Sequence, residues 1–270
     1  MRDSDDFQFT FEVLSCKGNF EVDEDIQDGK LDHFEFPLKE FDSTLQNLLQ
    51  IYSSKTSLEL FQSNLSKIKN LVMKFHKKIS PLLRERDLFP FFLTLLDDQV
   101  KEIQITALEI LAALVKEDET TIKLLVDLNA YQKFFELLTS EDPDLIKPIC
   151  HIFIYSNYSS PHNFVQQIFL PNFYPAFIDI YNYLEKNGSD SSTMRNISEV
   201  FYSLFEVEMN VEYPILDAIY QNILGDLFRT EHYKPFLQFI NKILDERRNN
   251  TPNYNIFLSK FYQTDFPINV

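Results

Sequence analysis

The sequence contains no tryptophan and only four glycines among its 270 residues. The glycines, at positions 18, 29, 188 and 225, are too widely spaced for Gly-x-Gly-x-x-Gly, Gly-x-x-x-x-Gly-Lys-Ser/Thr or Gly-x-Ser-x-Gly. Those loops need glycine for the tight turns that cradle a phosphate or expose a nucleophile. The usual nucleotide-binding folds and serine-hydrolase sites are therefore excluded, and no cofactor is expected.

Cysteine is also scarce, with only Cys16 and Cys150. Two distant cysteines indicate neither a disulfide framework nor a zinc site, so no metal is expected. Cys150 precedes His151, but adjacent residues on a helix do not face each other, which predicts a buried structural cysteine rather than a nucleophile. No apolar run approaches the roughly 18 residues of a membrane span, and the acidic start lacks the features of a signal peptide. We therefore expect no membrane insertion and a reducing location, in the cytoplasm or alternatively the nucleus.

Basic residues are outnumbered, with 25 Lys+Arg against 41 Asp+Glu and a formal net charge of −16. This balance disfavours nucleic acid as a major partner, because binding phosphates needs a basic surface. The acidity is concentrated in residues 1–42, which hold 13 acidic and 4 basic residues. Phe7, Phe9, Phe11 and Val13 alternate with polar residues, as in a strand. We interpret residues 1–41 as a separate acidic segment that forms either a small β-hairpin or a disordered tail.

From Asp42 onward the apolar pattern is helical. It predicts an amphipathic helix over 65–79 that ends at Ser80-Pro81, and a more apolar helix over 99–116. An apolar template at positions i, i+3, i+4, i+7 and i+8 recurs along the chain, and its successive copies start 39, 43, 47 and 39 residues apart. The third copy is interrupted by Asn157, where we expect a helix to end. The copies start at Ile68, Ala107, Cys150, Ile197 and Phe236. Helical solenoid repeats are about 40–47 residues long, so a repeat architecture is predicted.

The segment 88–157 resembles armadillo repeats, and the wider resemblance to the armadillo/HEAT family covers residues 42–248. It rests on a short helix, a second helix over Ala130–Leu138, an acidic turn ending at Pro143, and a long helix. Asn129 stands near the position where the family often has glycine, and asparagine tolerates the left-handed conformation of such a corner. The resemblance implies an all-α, right-handed α-solenoid over residues 42–270 with an aromatic C-terminal cap.

In this family the long helices line a concave groove that suits extended partners. Members that carry nuclear import cargo have a Trp and an Asn per repeat there, and this chain has no Trp, so import-signal binding is not expected. Glu109 and Glu199, near the middle, suggest a protein or peptide partner with a basic centre. The groove residues that the template implies are Asn70, Lys74, Glu109, Ser156, Glu199, Ser203, Gln238 and Lys242.

A basic patch precedes the second template copy and contains, besides Lys74, six residues: Lys67, Lys69, Lys77, Lys78, Arg84 and Arg86. Three interpretations of this patch are open: a solvated helix face, a site for an acidic peptide or phosphate, or a surface that the acidic residues 1–42 cover and inhibit.

The function favoured by the sequence is that of a non-enzymatic protein–protein interaction scaffold or adaptor. The first alternative is a regulatory subunit of a kinase or phosphatase complex. The second is an enzyme whose site is spread over several repeats, which the absent motifs disfavour. The oligomeric state and the identity of the partner stay open.

Overall fold

The computed structural model describes residues 35–140, 142–159, 173–188 and 191–206. The chain divides into two units, Met1–Pro37 and Leu38–Val270, and the described helices lie in the second. The first helix of the second unit begins at Leu38, and its first buried residue is Phe41. The predicted boundary at 41/42 stays a prediction. The predicted hairpin or tail, the C-terminal cap and the template copy starting at Phe236 lie outside the described residues.

The described residues form helices and no strand, which confirms the all-α prediction for this part of the chain. A 3-10 turn at Leu95–Asp97 follows the third helix. The helices are α1 Leu38–Ser54, α2 Leu58–Glu85, α3 Phe89–Thr94, α4 Lys101–Val115, α5 Glu119–Asp127, α6 Ala130–Leu138, α7 Pro143–Ser159, α8 Phe173–Asn187 and α9 Ser191–Glu206. None of them combines the length and the apolar content that crossing a lipid bilayer demands.

Four of these helices pack in series along the chain. α2 contacts α4, α4 contacts α7, and α7 contacts α9, while α1 contacts α2. The apolar template falls on these four helices, and its starting residues Ile68, Ala107, Cys150 and Ile197 are all fully buried. Because each start is followed by buried residues one turn later, the template marks the faces through which the helices pack.

Helix ends follow local signals in the sequence. Ser57 caps α2 by accepting a hydrogen bond from the Leu60 N–H at 3.4 Å, and Asp118 caps α5 by accepting from the Thr121 N–H at 3.1 Å. Asn129 adopts the left-handed conformation before α6, with φ 55° and ψ 28°, as predicted. In this glycine-poor chain Lys55, Asp87 and Glu117 also occupy left-handed corners, where a side chain is unfavourable.

Two predicted helix ends are wrong. α2 continues through Pro81 to Glu85, and its backbone leaves helical geometry at Phe75, with φ −132° and ψ 29°. A proline inside a helix removes one hydrogen bond and crowds the preceding turn, so α2 accommodates Pro81 at a cost in stability. α7 likewise continues past Asn157 to Ser159. The Asn157 side chain donates from Nδ2 to Ser203 Oγ of α9 at 2.7 Å, so this polar residue is accommodated within the helix packing.

Candidate binding surface

The predicted groove residues have different environments. Asn70 and Lys74 on α2 are exposed, and Glu109 on α4 and Glu199 on α9 are half-buried. Ser156 and Ser203 are fully buried, so their assignment to an accessible groove is wrong. Gln238 and Lys242 lie outside the described residues.

Ser156 lies in the interior of the helix packing. Ser156 Oγ lies 2.5 Å from the Tyr131 hydroxyl and donates to the Ile152 carbonyl at 2.6 Å, and Ile152 is itself fully buried. Because α7 packs against α4, α5, α6 and α9, only a narrow stripe of it reaches solvent. That stripe consists of Asp144, Lys147, His151, Tyr155 and Tyr158.

A row of polar side chains crosses the four serially packed helices. Lys69 Nζ of α2 lies 3.0 Å from Glu109 Oε2 of α4. The negative charge of Glu109 acts in turn on His151 of α7, and the His151 side chain hydrogen-bonds to Asn196 of α9. We call this set the polar row; its members are Lys69, Glu109, His151, Tyr155, Asn196 and Glu199.

His151 stands at the centre of the row. Burial and the positive charge of Lys147 lower its pKa, while the hydrogen bond to Asn196 and the charge of Glu109 oppose that shift. The imidazole is therefore neutral at pH 7. Asn196 is 5% exposed, and its Nδ2 has no hydrogen-bond partner among the described residues, so its Oδ1 is the atom that accepts from the ring N–H.

Within the polar row, Glu199 is the second side chain that has a buried atom without a hydrogen-bond partner among the described residues. Burial raises the pKa of its carboxyl, against the opposing effect of Arg195, whose Nε lies 3.0 Å from Glu199 Oε1. Its side chain is only 15% exposed, and Oε2 has no hydrogen-bond partner in the described part of the chain. A buried polar atom without a hydrogen-bond partner costs about 1–3 kcal/mol of stability. A group that supplies the missing hydrogen bond would therefore be favoured at this position.

Tyr155 lies beside His151 and Lys116. Its ring centroid lies 6.0 Å from that of His151 and 6.0 Å from Lys116 Nζ, which stands over the ring. Burial, followed by the charge of Glu199, raises the pKa of the Tyr155 phenol. The phenol therefore stays neutral at pH 7.

The two carboxylates that suggested a basic partner are not free. Glu109 is paired with Lys69 and Glu199 with Arg195, each at 3.0 Å. Much of their negative charge is thereby neutralised within the helical unit. A partner with a basic centre stays a prediction, and these ion pairs leave less free negative charge behind it than the sequence suggested.

Most residues of the basic patch form ion pairs with acidic residues elsewhere in the fold. Four of its six residues pair with acids on other elements: Lys69 with Glu109, Lys77 with Glu117, Arg84 with Asp118, and Arg86 with Asp42. Lys67 and Lys78, like Lys74, are exposed. Most of the patch therefore holds α2 against its neighbours, which none of the three interpretations anticipated.

Cys150 is a buried structural cysteine, as predicted. It is fully buried, and burial, followed by the charge of Glu199, raises the pKa of its thiol far above the ordinary range. The reactive thiolate is therefore suppressed. No group of three or more His, Cys, Asp or Glu side chains within the described ranges is arranged to hold a metal ion.

Sequence reasoning missed His151, Tyr155 and Asn196 as members of the row. The signal that could have found the first two is the polar stripe of α7, whose members follow one another every three or four residues from Asp144 to Tyr158. Asn196 carries no comparable signal, because it follows from the packing of α9 on α7.

Neither a protein-family model nor a curated protein matches this chain. Among solved structures, the chain is similar to an engineered protein whose crystal structure was determined by the Northeast Structural Genomics Consortium. The TM-score is 0.50 at 15% sequence identity, over 77% of this chain and 73% of that chain. At this identity the likeness concerns the fold alone.

Proposed function

We propose that the chain is a non-enzymatic interaction scaffold or adaptor that binds an extended segment of a partner protein along the polar row. One observation carries the proposal. Asn196 Nδ2 and Glu199 Oε2 are buried on one helix of the row, and neither has a hydrogen-bond partner among the described residues. Both atoms are closed off from solvent, so a partner segment that offers an acceptor and a donor would satisfy them after the side chains that cover them move aside, and the gain favours binding there.

The architecture that we propose for the helical unit is a right-handed armadillo/HEAT-like solenoid. The serial packing of α2, α4, α7 and α9, the template spacing and the left-handed corner at Asn129 support it. Neighbouring helices pack about 8–10 Å apart, so the row spans roughly 24–30 Å. An extended peptide rises about 3.3 Å per residue, so roughly seven to nine partner residues would occupy the row.

The experiment is a quantitative pull-down from native lysate in which a bulky side chain blocks the row. Lys147 is exposed on the solvent stripe of α7, beside His151, and Lys147→Trp places an indole there. Lys186→Trp is the matched control, because Lys186 is equally exposed but lies on α8, which contributes nothing to the row. We expect a specific partner that wild type and Lys186→Trp retain and that Lys147→Trp loses.

Retention by both variants would remove the polar row as the binding surface, and loss in both would indicate a non-specific effect of the indole. The identity of a partner lost only in Lys147→Trp decides between an adaptor and a regulatory subunit. A catalytic subunit of a kinase or phosphatase in that fraction favours the regulatory role.

A further inference from the structure

Asn187 is the one asparagine in the sequence that is directly followed by a glycine. It is the last residue of α8, and Gly188 continues the chain in the left-handed region, with φ 72°. Both residues are exposed. Glycine adopts such a corner without strain, so this pair ends the helix at the surface of the helical unit.

The glycine also decides how reactive the asparagine is. Asparagine is among the chemically labile residues, because the next main-chain nitrogen, once deprotonated, can attack Cγ of its side chain and close a five-membered ring. A side chain on the next residue hinders that attack, since its Cβ stands close to the nitrogen. Gly188 has no Cβ, and apart from its two neighbours in the chain no described residue has an atom within 4 Å of where a Cβ would stand. The Gly188 nitrogen is therefore open to the reaction.

A single hydrogen bond restrains the Asn187 side chain. Its Nδ2 donates to the Tyr183 carbonyl, one turn earlier in α8, at 2.7 Å. The contact is exposed, and an exposed hydrogen bond adds little stability because water replaces either partner. It also lies in the last turn of α8, and the ends of helices fray. The side chain can therefore leave the Tyr183 carbonyl while the rest of the chain stays folded.

We propose that Asn187 is a site of spontaneous deamidation, with water as the co-reactant. The Gly188 nitrogen loses its proton and bonds to Cγ of Asn187, the Cγ–Nδ2 bond breaks, and the departing nitrogen takes up a proton and leaves as ammonia. Water then opens the ring. Cleavage between the nitrogen and Cγ gives aspartate, and cleavage between the nitrogen and the main-chain carbonyl carbon gives isoaspartate, in which the chain runs through Cγ. The site is independent of the proposed function, because α8 contributes no residue to the polar row.

The conversion changes the end of α8. The amide that donates to the Tyr183 carbonyl becomes a carboxylate, which only accepts hydrogen bonds. The C-terminal end of a helix carries partial negative charge, so the new charge is unfavourable there. The converted protein should unfold at a lower temperature than the fresh protein, and Asn187→Asp should shift Tm in the same direction.

The test incubates the full native chain at mildly alkaline pH and follows two tryptic peptides by mass spectrometry. Residues 187–195 report on Asn187, and residues 124–133 report on Asn129, an exposed asparagine that Ala130 follows. Digestion in heavy-oxygen water separates conversion before digestion from conversion during it. We expect aspartate and isoaspartate to accumulate at Asn187, faster as the pH rises because the nitrogen must lose its proton, while Asn129 stays unchanged.

Two variants complete the test. Asn187→Gln should lose the conversion, because its longer side chain would have to close a larger ring. Gly188→Ala should slow it severalfold, because the added Cβ stands beside the nitrogen. Alanine is strained at φ 72°, so Asn187→Gln keeps the test valid if Gly188→Ala misfolds. An unchanged Asn187 in the native chain, equal conversion at Asn129, or an undiminished rate in a folded Gly188→Ala would overturn the inference.

Discussion

Asp118 is the residue whose removal should destabilise the helical unit most clearly. Its carboxylate accepts hydrogen bonds from Ser80 Oγ at 2.6 Å and Thr121 Oγ1 at 3.0 Å, pairs with Arg84, and caps α5 through the Thr121 N–H. Arg84 also donates to both hydroxyls, at 2.9 and 2.6 Å. The network therefore joins the C-terminal turns of α2 to the N-terminus of α5.

The cost of Asp118→Ala follows from these contacts. Losing an N-cap costs about 1 kcal/mol. Breaking a buried pair costs about 3–5 kcal/mol, and we take about 2 kcal/mol because the Arg84 and Asp118 side chains are 22% and 18% exposed. The sum, about 3 kcal/mol, should lower Tm by about 6–12 °C for a unit of this size.

The assay is thermal and urea unfolding followed by circular dichroism. Asp127→Ala is the control, because Asp127 is an exposed carboxylate at the opposite end of α5. Its removal should change stability by no more than about 0.5 kcal/mol. Equal shifts for the two variants would refute the reasoning.

The contacts of Asp118 also predict that folding stability depends on pH. Burial opposes its ionisation, but hydrogen bonds from Ser80, Arg84 and Thr121 outweigh burial and hold its pKa below the ordinary value. A depressed folded pKa stabilises the fold at every pH above the unfolded pKa of about 3.9, and that stability is lost as the pH falls through the folded pKa. The stability gap between wild type and Asp118→Asn should therefore be constant near neutral pH and close in acid.

Three further changes can be checked with purified protein. Lys55→Gly should raise the free energy of unfolding by up to about 1 kcal/mol in urea titrations, because Lys55 is exposed with φ 51° and glycine adopts that conformation without strain; a loss of stability would contradict this. By NMR titration, His151 should have a pKa below about 6.5, and Asn196→Ala should lower it further, because the hydrogen bond from His151 to Asn196 raises it; an upward shift would contradict that assignment. In a Cys16→Ser background, Cys150 should react with a disulfide reagent only after unfolding, because burial raises its pKa; fast labelling of the native protein would show an open thiol.

The helical class and several elements were predictable because they depend on local sequence. The 3.6-residue apolar period located α2, α4, α7 and α9, and α6 has the predicted bounds Ala130–Leu138. Asn129 occupies the predicted left-handed corner. These features follow from periodicity and backbone preference, which need no knowledge of the neighbouring helices.

The ends of α2 and α7 and the composition of the polar row depend on tertiary contacts. Pro81 stays inside α2 between the buried residues Ile79 and Leu83. Ser156 lies in the interior because Tyr131 of α6 supplies its hydrogen-bond partner. A template with a fixed residue offset assumes that each helix is rotated equally against its neighbours, but the same position is exposed at Lys74 of α2 and fully buried at Ser156 of α7 and Ser203 of α9.

The basic patch shows the same limitation for charge. In the sequence, lysines and arginines from 67 to 86 stand almost without acids. In the structure, Glu109, Glu117 and Asp118 approach α2 from 34 to 40 residues away. Local net charge therefore overstated how much of the patch is available to a partner.

The central claim is that the partner lies along the polar row. Hydrogen–deuterium exchange of the full chain, with and without the partner retained in the pull-down, tests it most directly. The account predicts slower exchange in α4, α7 and α9 around Glu109, His151 and Glu199, and little change in α5, α6 and α8. Protection confined to α5, α6 and α8 would contradict the account.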